Sequence, residues 1–581
     1  MHGLHRLEEV GSRWFAECPV LSDIGRSFTN LRRLRTVGSH WLADCPAITA
    51  VTIDAPRLAS VGSHWLCNCE RLEQADISAG RLVSVGDGWL CLCPQLTAFS
   101  TAAIGHVREV GSHWLFGCVK LEAFECPPSS GLESVGSYWL AGCTSLRTAD
   151  FSAADRLHTV SARWMSGCCV LDDVRFPKKA DLQAVGDDWL SEATSLKHIE
   201  FRGLHGLRTV GSNWLAGCTS LRSFSLIGVG AIVHVGSSWL AGCISLTAAD
   251  FEPLRFLRTV GSDWMAGCTA LGAVSFKYMT KLRSVGDRWM CRCTRLTEVV
   301  LVYQHHLTRV GAEWLAGCTA LQTITVENLS ELENVGDRWL LGCTALTTVS
   351  LRGLVVLETV GDAWLSDCTA LKSVTFEGFD SLARVGSYWL CRSASLEEAK
   401  FVNLKSLNSV GSGWMYGCSA VRAVDLPGFP SLESVGDGWM AMCPVLRNVC
   451  LGPCPTLERV GAHWMSSCSG LVNVELWGLS GLVEVAEGWL FDCPALTRFF
   501  VSDLPRIDAV GPGFLHQCDQ LLEFEGPRPA CVQNALPSTL RWGGGDAVKP
   551  PKAGADAQPE AGSRKGTASR RASQRRINVK S

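Results

Sequence analysis

The sequence predicts an α/β repeat solenoid, a superhelix with a parallel sheet on its concave side and short helical or 3₁₀ turns on its convex side. Three observations carry this. The stretch Val210-Gly-Ser-Asn-Trp-Leu-Ala-Gly-Cys218 recurs along the chain, and from Val85 to Val510 its first residue returns every 25 residues. Trp and Cys keep fixed offsets, as in Trp214 and Cys218, Trp239 and Cys243, and Trp264 and Cys268. Between copies, apolar residues first alternate and then fall at every third place. A residue type held at constant spacing for this long marks one unit stacked many times. The length of 581 residues therefore grows by repetition, giving one solenoid rather than several domains.

Within one repeat, Leu221-Arg-Ser-Phe-Ser-Leu226 alternates between turn signals and predicts a short strand. Val229, Ile232 and Val235 then point inward at every third residue, the pattern of a tight 3₁₀-like return. Residues 212–217 read as one helical turn. The residue after the Val-Gly pair is Ser or Asp in 16 of 21 repeats, which suits an N-cap. The residue before Cys is Gly in nine, which suits a left-handed C-terminal stop.

Leu221-x-x-Phe224-x-Leu226-x-x-Val229 resembles the leucine-rich repeat pattern. The Val-Gly-x-x-Trp-Leu-x-x-Cys that follows is similar to the BspA-like subfamily, with Trp where that subfamily usually has Phe. Trp-bearing arrays of this kind also resemble leucine-rich repeat proteins of parasitic protists, especially trypanosomatids. The resemblance covers residues 4–526 and implies a non-enzymatic protein-interaction scaffold binding through its concave face. A cell-surface adhesin-like protein lacking its N-terminal signal, or the targeting subunit of an enzyme complex, are the alternatives.

The array is expected over residues 1–526 in 21 repeats, a C-terminal cap over 527–542 in which Leu540 and Trp542 cover the last core layer, and a disordered basic tail over 543–581. No polar cap precedes Leu4, so another chain or a missing segment is expected to cover that end. Charge is divided: residues 546–581 carry +6 and the rest −9, which does not favour nucleic acid as a partner of the body. Glu8, Glu9, Arg13 and Glu17 interrupt any signal-peptide core, and no apolar run suggests a transmembrane helix. Of 28 Cys, 19 share one register, replaced there by Ala193 and Ser393. That substitution pattern describes a buried thiol in a reducing, cytoplasmic compartment rather than a disulfide framework. Nuclear entry would rest on the basic tail.

Twenty of the 22 Trp stand in register and are expected to stack as a core ladder, with each indole N–H bonded at the rim. Cys67-x-Cys69, Cys91-x-Cys93 and Cys291-x-Cys293 lack zinc-site spacing, and one Cys of each pair belongs to the core, so no metal or cofactor is expected. The 14 His are scattered, and no catalytic group is required. Beside the strands, a charged row (Glu252, Lys277, Glu327, Arg352, Glu377) is expected to pair across repeats. Tyr278 and Tyr303 share a register in adjacent repeats, with Trp477 at the neighbouring register, and these are the candidate partner contacts. Arg570-Arg-Ala-Ser573 resembles a basophilic-kinase site. Phosphorylation of Ser573 would weaken electrostatic docking of the tail.

Overall fold

Two parallel strands per repeat build the molecule, and the shorter of them makes the continuous sheet. The computed structural model describes residues 4–22, 28–100, 105–127, 130–276, 279–527, 529–535 and 541–542. The residues ending in each Val-Gly valine, such as Thr209–Val210 and His234–Val235, form two-residue strands in one 21-stranded parallel sheet. Its register is one repeat per step, with Val210 opposite Val235 and Val235 opposite Val260. The strands expected from alternation form a second side, for example Ser223–Ser225 and Thr323–Glu327, and this side is interrupted into sheets of two to six strands. Between the two, Leu226 and Val229 carbonyls accept the N–H groups of Val229 and Ile232, the expected three-residue return. The Val-Gly valine is not part of that return but a ladder residue, because its N–H and C=O face neighbouring repeats.

The convex turn corrects the helical expectation. Among the described residues the helices are a 3₁₀ turn at Leu4–Arg6 and an α-helix at Ala530–Ala535. In residues 212–217, Asn213, Leu215 and Gly217 are left-handed (φ 59, 57 and 71°) while the residues between them are not. Alternation of hand points successive amides to opposite neighbours. Asn213 and Gly217 donate forward to the Ser237 and Ala241 carbonyls at 2.7 and 2.8 Å, and Leu215 donates back to Trp189 at 3.0 Å. A left-handed L-residue costs about 1–2 kcal/mol, which the inter-repeat hydrogen bonds offset by satisfying backbone groups that would otherwise be buried unpaired. Ser212 does not cap its own turn: its hydroxyl accepts the N–H of Ser237, one repeat on, at 3.2 Å. Asp in the same place binds more tightly, as Asp187 accepts the Ser212 N–H at 2.7 Å.

The glycine of Val-Gly owes its place to packing. A Cβ on Gly236 would lie 2.4 Å from the Ser212 nitrogen and 2.7 Å from its Cα, both fixed backbone of the preceding repeat. At the C-terminal end, Phe514 replaces Trp and meets Trp489 edge-on at 5.6 Å. Val532 of the helix Ala530–Ala535 is buried against the core, and the backbone of Arg541–Trp542 pairs with Glu523–Glu525 as one more strand. Leu540 and residues 543–581 lie outside the described residues.

Candidate functional site

The repeated residues make the wall. Trp214, Cys218, Trp239, Cys243, Trp264 and Cys268 are fully buried. Neighbouring indoles stack nearly parallel, at 5.1 Å for Trp214 and Trp239 and 5.5 Å for Trp239 and Trp264. Each thiol donates to the carbonyl of the residue after Trp in the preceding repeat, as Cys218 to Leu190, Cys243 to Leu215 and Cys268 to Leu240 at 3.1–3.2 Å. Ser393, standing in for Cys, makes the same bond to Leu365 at 3.1 Å. Burial pushes the Cys218 and Cys268 thiols up to about 12, with the backbone hydrogen bond opposing it. The expected rim hydrogen bond of the indoles is absent among the described residues: from Trp41 to Trp489 the in-register indole N–H groups are buried with no hydrogen-bond partner there. Stacking holds the indoles inside the wall and keeps their edges from solvent.

The variable residues decorate three surfaces. On the Val-Gly sheet the residue before each valine faces outward, because the valine is buried. There a groove of about 810 Å³ crosses successive repeats, lined by Asp287, Arg309, Asn334, Asp337, Thr359, Arg384 and Ser409. The Thr359 hydroxyl donates to the Asn334 side chain. The carboxylates of Asp287 and Asp337 accept the Ala312 and Asp362 amides at 2.8 and 2.9 Å. Arg309 and Arg384 are exposed and, among the described residues, in no ion pair. Three repeats separate them, about 14 Å at the spacing of adjacent strands. Sequence reasoning missed this row, because a two-residue strand is too short to show alternation.

On the second side, Tyr303 is left-handed (φ 60°) and 59% exposed. With Val274, Phe276, Val300, Val302 and Gln304 it lines a mainly apolar pocket of about 510 Å³. Gln304 is buried and donates to the Phe276 carbonyl at 3.1 Å. Tyr278 lies outside the described residues. Trp477 is half-buried rather than exposed, packed on Phe500 at 4.4 Å. Seven repeats part it from Tyr303, about 34 Å, so the structure does not join them in one patch. Glu327 lies opposite Arg352 in register, yet no ion pair links them among the described residues, and the Glu327 carboxylate instead accepts the Ser350 hydroxyl at 3.3 Å.

Cross-repeat ion pairs occur on the longer strands, as Arg175 with Asp150 at 3.6 Å, and on the third surface, around the residue before Trp, where Glu313 meets Arg338 at 2.7 Å and Asp188 meets Arg163 at 3.4 Å. A further groove there, about 720 Å³, is lined by Tyr388, Tyr416, Met442, His463 and Phe491 beside Gly413 and Gly438.

One side-chain group has triad composition. His198 lies 2.8 Å from the Ser223 hydroxyl and 3.4 Å from Glu200. All three residues are exposed on the strand surface and line none of these grooves. Among the described residues no group of three or more His, Cys, Asp or Glu could hold a metal ion, and no helix is long and apolar enough to cross a membrane.

The BspA type leucine rich repeat region matches residues 4–121, 108–247, 183–305, 283–418 and 385–522. No curated protein matches the chain. Solved structures with a similar chain path include a leucine-rich repeat protein from Bacteroides ovatus, 21% identical, covering 64% of this chain and 82% of its own, with a TM-score of 0.43. A leucine rich cell surface protein from Faecalibacterium prausnitzii is 12% identical over 68% and 82%, with a TM-score of 0.31. A leucine-rich repeat protein from Eubacterium ventriosum is 14% identical over 65% and 87%, with a TM-score of 0.33. With the family's repeat matched in overlapping stretches from residue 4 to residue 522, the chain belongs to the BspA-type leucine-rich repeat family.

Proposed function

We propose that this protein is a non-enzymatic interaction scaffold that holds an extended acidic segment of a partner protein along the Val-Gly sheet. The observation that carries this is the groove containing Arg309 and Arg384, two exposed guanidinium groups in no ion pair among the described residues, with the Asn334 and Thr359 side chains between them and the Asp287 and Asp337 carboxylates of the groove held by backbone amides. Guanidinium forks bind carboxylates in a bidentate manner, and a spacing of about 14 Å suits carboxylates about four residues apart on an extended chain. Tyr303 and its apolar pocket supply a second contact on the other strand face. The tail, with Ser573, belongs to the same reading as a localisation or regulatory segment, and the Trp-bearing repeat motivates kinship with protist arrays.

Affinity capture from the source organism, with the full chain as bait, tests the reading. Replacing Arg309 and Arg384 by Glu is expected to abolish recovery of partners held by the groove, and loss of residues 4–526 is expected to do the same. Equal recovery with the charge-reversed chain overturns the groove assignment. Equal recovery by the tail alone overturns the scaffold reading of the solenoid.

A further inference from the structure

Outside the core register, Cys67 and Cys91 occupy equivalent places in successive repeats, within Leu66-Cys67-Asn68 and Leu90-Cys91-Leu92. Their Sγ atoms lie 2.8 Å apart. That is closer than two unbonded sulfur atoms rest, and longer than the roughly 2.05 Å of a disulfide. Backbone hydrogen bonds hold the two segments together: Asn68 donates to the Cys91 carbonyl at 2.8 Å, and Leu90 to the Trp65 carbonyl at 2.9 Å. Adjacent repeats at strand spacing, about 4.8 Å, fall within the roughly 4.4–6.8 Å between Cα atoms that a disulfide spans.

The neighbouring thiols differ. Cys69 and Cys93 are fully buried and donate to the Leu42 and Leu66 carbonyls at 3.2 and 3.1 Å. Cys67 and Cys91 have each other, flanked in the same column by Ala43 and Phe116, and retain 8% and 5% exposure. Elsewhere in this column a cysteine has no such neighbour: Ala266 and Ala316 flank Cys291, and Ser366 and Tyr416 flank Cys391.

We propose that Cys67 and Cys91 form a peroxide-responsive disulfide site that links two successive repeats when oxidised. The Cys67 thiol is held below its ordinary range by the hydrogen bond it accepts from Cys91, and it is the more exposed of the two. Its thiolate attacks one oxygen of hydrogen peroxide, the O–O bond breaks, and the departing hydroxide takes a proton to leave as water. Cys91 then attacks the sulfenic sulfur of Cys67 and expels its hydroxyl group as a second water. Two thiols and one peroxide thus give one disulfide and two waters, with the cysteine sulfurs oxidised and the peroxide reduced. The closed loop holds the segment between two residues 24 apart in sequence.

The test treats the full chain with hydrogen peroxide, alkylates remaining thiols without reduction, and maps linked peptides by mass spectrometry. A Cys67–Cys91 link reversed by dithiothreitol is expected. It should vanish in Cys67→Ala and Cys91→Ala, both compatible with the column because Ala43 occupies it, and persist in Cys69→Ser, whose hydroxyl can bond as that of Ser393 does. Amide exchange across the linked repeats should slow by at least about tenfold on closing a loop of this length. Absence of a Cys67–Cys91 link in the peroxide-treated full chain, or Cys67 driven to sulfinic acid while Cys91 remains alkylatable, overturns the proposal.

Discussion

Gly261→Ala is expected to be among the most costly single-methyl additions this chain can receive. A Cβ at that position would lie 2.5 Å from the Ser237 nitrogen, 2.5 Å from its hydroxyl oxygen and 2.7 Å from its Cα. The hydroxyl can rotate away, but the nitrogen and Cα belong to the preceding repeat's ladder. Reaching the 3.4 Å of ordinary contact needs a shift of about 0.9 Å in the stacking direction. Two natural exceptions stand at the glycine position, Ser161 and Ala486. The Ser161 N–H reaches the Val135 carbonyl at 3.1 Å, the same as Gly261 to Val235, and the Ala486 N–H reaches the Val460 carbonyl at 3.4 Å. Overpacking against fixed backbone, with one or two ladder bonds weakened, amounts to about 3 kcal/mol. Because a solenoid is stabilised through nearest-neighbour interfaces, weakening one in the interior should also split a single unfolding transition into two. Denaturant titration followed by Trp fluorescence measures this. Gly272→Ala is the control, since a Cβ there meets only the Thr247 carbonyl oxygen, at 3.8 Å. If the two variants unfold within about 0.5 kcal/mol of each other, the close-approach argument is wrong.

Stability should fall in alkali through the core thiols. Cys118, Cys168, Cys218, Cys268, Cys368 and Cys418 are pushed up to about 12 by burial, from an ordinary 9.0. Their contribution is complete below pH 9 and lost as pH rises toward about 12, at about 1.4 kcal/mol per thiol per pH unit, so equal unfolding free energies at pH 8 and pH 10 would contradict the burial. Cys268→Ser should be milder than Cys268→Ala by about 1 kcal/mol, because a hydroxyl can still donate to the Leu240 carbonyl, and the opposite order in denaturant titration would remove that bond from the account. Trp264→Phe should cost about 1 kcal/mol, well short of the 3–5 of Trp264→Ala, since losing indole area is offset by losing a buried N–H that has no acceptor. A Phe variant as damaging as Ala in thermal unfolding would show that the N–H is bonded.

Much of the fold was legible because identical residues stack on identical residues. The 25-residue period alone implies that Val210 meets Val235 and Trp214 meets Trp239, and both occur. The turn was misread for a physical reason. Ser212 and Gly217 are residues that bracket a helical turn, yet the hydroxyl of Ser212 serves an amide 25 residues away. Nothing within one repeat distinguishes these uses. The glycine after each valine likewise answers to a backbone in the preceding repeat, a constraint invisible in its own dihedrals. Alternation in Leu221–Leu226 located the longer strand, but the continuous sheet lay in two-residue strands with no period to detect.

Binding chemistry follows a different logic, because stacking makes every repeat alike in its core and so frees the outward row. Along the Val-Gly sheet that row reads Ser284, Arg309, Asn334, Thr359, Arg384 and Ser409, one side chain per strand at fixed spacing. Substitution at Arg309 or Arg384, in no ion pair among the described residues, leaves the valine beneath and the glycine beside it in place, so charge can change at one strand with little cost to its neighbours, whereas Asn334 and Thr359 are tied to each other by a hydrogen bond. A ruler of this kind can match a partner's charges by position alone. It also separates two kinds of variant: Arg309→Glu should change what is bound and leave unfolding unchanged, while Gly261→Ala should do the reverse.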